Sequence, residues 1–172
     1  TNSQTAAMYK YDAGAGTWTN TGDSYKTSDT NKGNFDGTLV AGAVNLSNGK
    51  YLFGGFETTS SGILWWTTYT QVFKLWQYDA SANPKFSYLG YIETYSGQSD
   101  PGATNGDMAF DANGNLFVVR GSGSTTTVYS VTAANLAKAN GGQITSSGSN
   151  SFGTTSNVNG VAFDSSGKAY LG

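Results

Sequence analysis

Four large aromatic residues crowd one short stretch of this chain: Trp65, Trp66, Tyr69 and Trp76. Aromatic rings held in a loop can stack on sugar rings or anchor a protein partner, because they bring large contact area at little entropic cost. The segment 57–72, which carries Trp65, Trp66 and Tyr69 with Trp76 a few residues on, is longer than the corresponding link between Arg120 and Val128. The competing reading is structural. If residues 63–78 form one long strand, neighbouring residues point to opposite faces, and Trp65 and Trp66 are both buried only where both faces are covered. Trp65, Trp66, Tyr69 and Trp76 are the candidate ligand-binding residues.

Other chemistry is narrowly bounded. The chain has no histidine and no cysteine. A Ser-His-Asp mechanism, thiolate chemistry, disulfides and Cys-based zinc sites are therefore excluded within it. Paired carboxylates could serve a glycosidase without histidine. However, Glu57, Glu93, Asp100 and Asp107 have no spacing that singles out a pair, so no catalytic residue is assigned. Asp111, Asn113 and Asn115 follow the D-x-N-x-N spacing of a calcium loop. The sister turn at Asp164 places Lys168 where a ligand oxygen is required, and the Ser47–Lys50 turn does likewise. A turn explains all three copies and calcium only one, so no metal and no cofactor is assigned. Arg120 is the only arginine, which excludes an arginine cluster for acidic sugars.

The elements that must position these residues follow from composition and repeats. Charged residues are 12% and aromatics 14% of the 172 residues, with 24 glycines and 2 prolines. Aromatic, Val and Thr residues favour pleated surfaces, and Gly and Asn favour turns, which predicts an all-β chain. The net charge of −2 and the lack of any basic cluster argue against nucleic acid as a partner. No apolar run reaches the ~18 residues of a membrane span. The opening residues lack a leader's basic and apolar regions, so the expectation is a processed or partial chain.

Two segments, 105–119 and 159–172, share the pattern A-F-D-x-x-G. Phe110 aligns with Phe163, Asp111 with Asp164 and Gly114 with Gly167, at a shift of 53 residues. Residues 44–55 are a looser third copy in which Gly49 replaces Gly114. Each copy reads as a β-hairpin, with Asn-Gly expected to take positive φ at both central positions. A second hairpin type, with an aromatic strand before a turn, runs through Tyr9–Trp18, Leu75–Leu89 and, less clearly, Val128–Ile144. The types alternate, and two hairpins make a four-stranded antiparallel sheet.

Tyr51-Leu52-Phe53-Gly54-Gly55 followed by Tyr78-Asp79 resembles the kelch-type and related propeller repeats, and Tyr11-Asp12 with Trp18 is similar to the second half of that motif. Val119-Arg120-Gly121 departs from it by lacking the glycine pair. The later copies look more like the "AFDxxGNLY" repeats of bacterial secreted and surface proteins. The resemblance implies β-propeller blades, about three blade-equivalents of four-stranded antiparallel sheet. Residues 1–30 would be the second half of a blade, 31–96 and 97–148 whole blades, and 149–172 the first half of another, with residues 145–160 a long mobile connection. Propellers close with 4–8 blades. The expected partners thus include remaining blades of the same chain or a second subunit.

The functional expectation is an extracellular binding module, adhesin-like, secreted or at the cell surface, recognising a glycan or protein partner through loop aromatics. Two alternatives are a structural subunit of a surface layer or filament and a carboxylate-dependent glycan-cleaving propeller enzyme. Enzymatic activity is the less favoured class.

Overall fold

The computed structural model describes residues 4–26, 35–63, 65–102, 104–153 and 158–172. They form an all-β protein of antiparallel sheets, none closed into a barrel, in two compact units, residues 1–36 and 37–172. Residues 27–34 of the expected first blade boundary lie outside the described residues, as do residues 154–157 of the Ser/Gly-rich tail.

The first unit is a hairpin, β1 (Thr5–Asp12) and β2 (Thr17–Lys26). Its turn is held by the Asp12 carboxylate, which accepts from the amides of Gly14 and Ala15 at 2.9 and 3.0 Å. Tyr11 and Trp18 lie opposite each other in the ladder, with ring centroids 5.1 Å apart.

The second unit holds two four-stranded sheets and one two-stranded ribbon. The first sheet runs in sequence order through β3 (Thr38–Asn45), β4 (Lys50–Ile63), β5 (Trp66–Tyr78) and β6 (Phe86–Gly97). The second runs through β7 (Asn105–Phe110), β8 (Leu116–Ser122), β9 (Thr125–Val131) and β10 (Gly148–Gly153). A four-residue helix α1 (Ala133–Leu136) follows β9, and β11 (Val161–Phe163) with β12 (Ala169–Leu171) closes the chain.

Alternation decides what is buried. In β8, Leu116 and Val118 point to one face; in β5, Phe73 and Leu75 do the same. These two rows meet between the sheets, joined by Leu52, Phe56, Ile92, Met108, Val131 and Ile144 in one core. The opposite face of the first sheet carries Phe53 stacked on Trp76, centroids 6.0 Å apart, with Phe86 edge-on to Phe53.

The repeated turns differ from the expectation in detail. Gly114 (φ 77°), Gly167 (φ 82°) and Gly49 (φ 72°) take the left-handed conformation, but no described non-glycine residue does. Each is a turn with a single left-handed glycine at its end, not the Asn-Gly form with two. The leading side chain makes the difference. Asp111 Oδ1 accepts from the amides of Asn113 and Asn115, and Asp164 Oδ1 from those of Ser166 and Lys168. With the carboxylate satisfying those donors, only the glycine has to leave the right-handed region.

The third aromatic hairpin also needs correction. Its partner strand is not the stretch ending at Ile144. Thr132 instead caps α1, and Ile144 donates its amide to Tyr91 O at 2.7 Å, entering the core beside the first sheet. The fourth strand is β10, paired with β9 from Gly148↔Ser130 to Gly153↔Thr125, inside the stretch expected to be a mobile connection.

Candidate functional site

The aromatic segment is a ribbon, not a loop. β4 and β5 stay paired from Glu57↔Val72 out to Ile63↔Trp66. Their neighbours stop earlier: β3 pairs with β4 only as far as Phe56, and β6 with β5 only from Tyr69. The end of the hairpin therefore runs on as a two-stranded ribbon beyond the sheet. Thr67 and Thr68, both exposed in this two-stranded part, are β-branched residues that suit a pleated surface open on both sides. At the tip, the amide of Trp65 donates to Ile63 O.

The four predicted aromatics go to three places. Trp65 and Trp66, with Ile63, form the exposed tip, at 88%, 69% and 80% exposure. Tyr69 is half-buried and lies on the opposite face of the ribbon from Trp66, because the two are three residues apart in one strand. Trp76 is fully buried, stacked on Phe53 and 5.3 Å from the Tyr88 ring, so its place is in the sheet's packing.

Tyr69 faces a second element that sequence reasoning missed. Between β6 and β7, the segment 98–102 lies against the ribbon and leaves an open groove of about 430 Å³, lined by Thr58, Thr59, Ser60, Tyr69, Asp100 and Gly102. Two hydrogen bonds from β6 and β8 pin this segment, and a third closes it on itself. Tyr95 Oη donates to Ser99 O at 2.8 Å, Ser122 Oγ to Pro101 O at 3.3 Å, and the Gly102 amide to Asp100 Oδ1 at 2.9 Å.

A buried polar network lies behind the groove. Gln71 donates through Nε2 to Thr58 Oγ1 (3.0 Å) and Thr104 Oγ1 (2.8 Å), while its Oε1 accepts from Arg120 Nε at 2.6 Å. Arg120 also sits 5.5 Å from the centroid of the Tyr95 ring. Among the described residues it forms no ion pair. Burial pushes its pKa below the ordinary value, partly opposed by Tyr129 and Tyr95. Tyr129, raised by burial, donates to Thr94 O at 2.5 Å. The charge is thus held by hydrogen bonding and an aromatic face, a costly arrangement that fixes one geometry between the sheets.

The remaining carboxylates weighed from sequence do not converge on the groove. Glu57 pairs with Lys74, Asp107 Oδ2 accepts from the Val161 amide at 3.0 Å, and Glu93 is exposed on β6. Asp111 spends both oxygens inside its own turn, the second on Asn115 Nδ2 at 2.8 Å. Only Asp100 lines the groove. Against known proteins, the chain matches no family model, no curated protein and no solved structure.

Proposed function

We propose that this chain is an extracellular binding module, built from β-propeller blades, that recognises a glycan or protein partner through its exposed aromatic ribbon. One observation carries the reading. The β4/β5 hairpin outruns its sheet and ends in Ile63, Trp65 and Trp66, which are solvent-exposed. Large apolar side chains held on a regular ribbon in water suit a contact surface, since their burial by a partner is favourable and little conformational freedom remains to be lost.

The blade reading has separate support. Two consecutive four-stranded meanders share a core, and the chain goes on into a two-stranded ribbon whose Asp164 turn repeats the Asp111 turn of β7/β8. Low charge and the lack of cysteine and histidine fit a secreted or cell-surface setting.

The test is a paired screen of the protein on an immobilised glycan array and on an array of cell-surface ectodomains. A retained ligand should quench or shift the tryptophan emission. The double variant Trp65→Ala/Trp66→Ala should lose at least about tenfold in affinity, as central aromatic anchors do. Binding that leaves the emission unchanged and survives the double variant would refute the proposal.

A further inference from the structure

We infer that the groove between the β4/β5 ribbon and segment 98–102 is a subsite for one neutral sugar ring. This rests on the binding-module reading and decides between its two partner classes in favour of a glycan. The volume of about 430 Å³ falls within the roughly 300–1,000 Å³ of small-molecule sites.

The lining has the chemistry of diol recognition. Gln71 uses both Nε2 hydrogens on threonine oxygens, one of them Thr58 Oγ1. The Thr58 oxygen is thereby engaged as an acceptor, and its own hydrogen is left to donate into the groove. Across from it, Asp100 Oδ1 is held by the Gly102 amide, and among the described residues Oδ2 has no partner. A donor and a charged acceptor thus flank the same space, the complement of adjacent sugar hydroxyls, each of which both gives and takes a hydrogen bond. Tyr69 adds a half-buried ring to the wall, a surface on which the C–H face of a pyranose can rest.

The charge selects among sugars. Among the described residues no Lys or Arg lines the groove, and Asp100 makes it negative. Arg120 is turned inward, with Gln71 between it and Thr58. Carboxylated or sulfated sugars would meet repulsion without a counter-charge. Gln71 is a positioning residue here: fixed by Arg120 on one side, it sets the direction of the Thr58 hydroxyl on the other.

Saturation-transfer NMR with glucose, galactose, mannose and N-acetylglucosamine, and with glucuronic acid as the charged comparison, tests the assignment. At least one neutral sugar should receive saturation and glucuronic acid none. Asp100→Asn, which preserves the turn, should weaken binding about tenfold, and Thr58→Val by a similar factor. Absence of signal from every neutral sugar overturns the subsite, as does a signal unaffected by both groove variants. A protein captured through Trp65 and Trp66 and indifferent to Asp100→Asn would likewise refute the groove assignment while leaving the ribbon reading standing. Urea midpoints matching the wild type verify that both groove variants are folded.

Discussion

Arg120 Nε donates to Gln71 Oε1 at 2.6 Å, and this bond ties β8 of one four-stranded sheet to β5 of the other. Gln71 continues the row of Phe73 and Leu75, and Arg120 the row of Leu116 and Val118, so the polar pair ends the shared core on the ribbon side. Replacing Gln71 by Leu should cost about 1–3 kcal/mol, because the Arg120 Nε hydrogen loses its buried acceptor. The double variant Arg120→Met/Gln71→Leu should cost less than the sum of the single variants, since no orphaned charge remains. Urea unfolding of the three proteins measures the coupling.

The tryptophans should separate sharply by stability. Trp76→Ala removes a fully buried indole stacked on Phe53 and should destabilise by about 3–5 kcal/mol. Trp65→Ala and Trp66→Ala, at an exposed hairpin end, should each fall within about 0.5 kcal/mol of the wild type. Thermal melts of the single variants distinguish the two classes.

Gly106 marks a close approach. A Cβ there would press on Val119 O and stand 2.8 Å from the Phe56 ring, at the contact between the sheets. Gly106→Ala should therefore destabilise by about 1–3 kcal/mol through overpacking, although its surface exposure hardly changes. Gly16→Ala, with nothing near its Cβ, should act only through its positive φ and unfold less readily than Gly106→Ala. Chemical denaturation compares them.

Acid should loosen the turns before the core. The Asp164 pKa is lowered, first by the Lys168 amide and then by the Ser166 hydroxyl; that of Asp79 is lowered first by the Ser81 hydroxyl. A carboxyl depressed in the fold and ordinary when unfolded contributes stability above its unfolded value. That contribution is lost as pH falls through the folded value, hence below about pH 4. Asp164→Asn and Asp79→Asn should flatten this part of the profile. Melting temperature followed across the acid range, with carboxyl NMR titration of both residues, provides the check.

Much of the strand layout could be read from residue order, because hairpin turns announce themselves locally. Asp111–Gly114 and Asp164–Gly167 carry their own capping carboxylate and their own left-handed glycine, so sequence locates them to the residue. The apolar run Leu116–Val119 was equally legible as a strand covered on both faces. What escaped was non-local. Nothing near Ile144 indicates that it leaves the strand ladder to pack beside Tyr91, since that choice is made by a partner about fifty residues away in the chain. The aromatic cluster was visible, but its division was not. Trp65, Trp66, Tyr69 and Trp76 are separated by how far along the hairpin the neighbouring strands extend and by the face each occupies. The groove was least visible of all, because Thr58 and Asp100 are ordinary residues that become a site only when segment 98–102, tied to Tyr95 and Ser122, lies beside the ribbon.

Binding and unfolding measured on one preparation of Trp65→Ala/Trp66→Ala test the functional account most directly. The account predicts a urea midpoint equal to that of the wild type together with loss of the glycan or protein captured by the wild type. Retained capture by the stable double variant would contradict it, as would a large drop in the midpoint, which would place those indoles in the core.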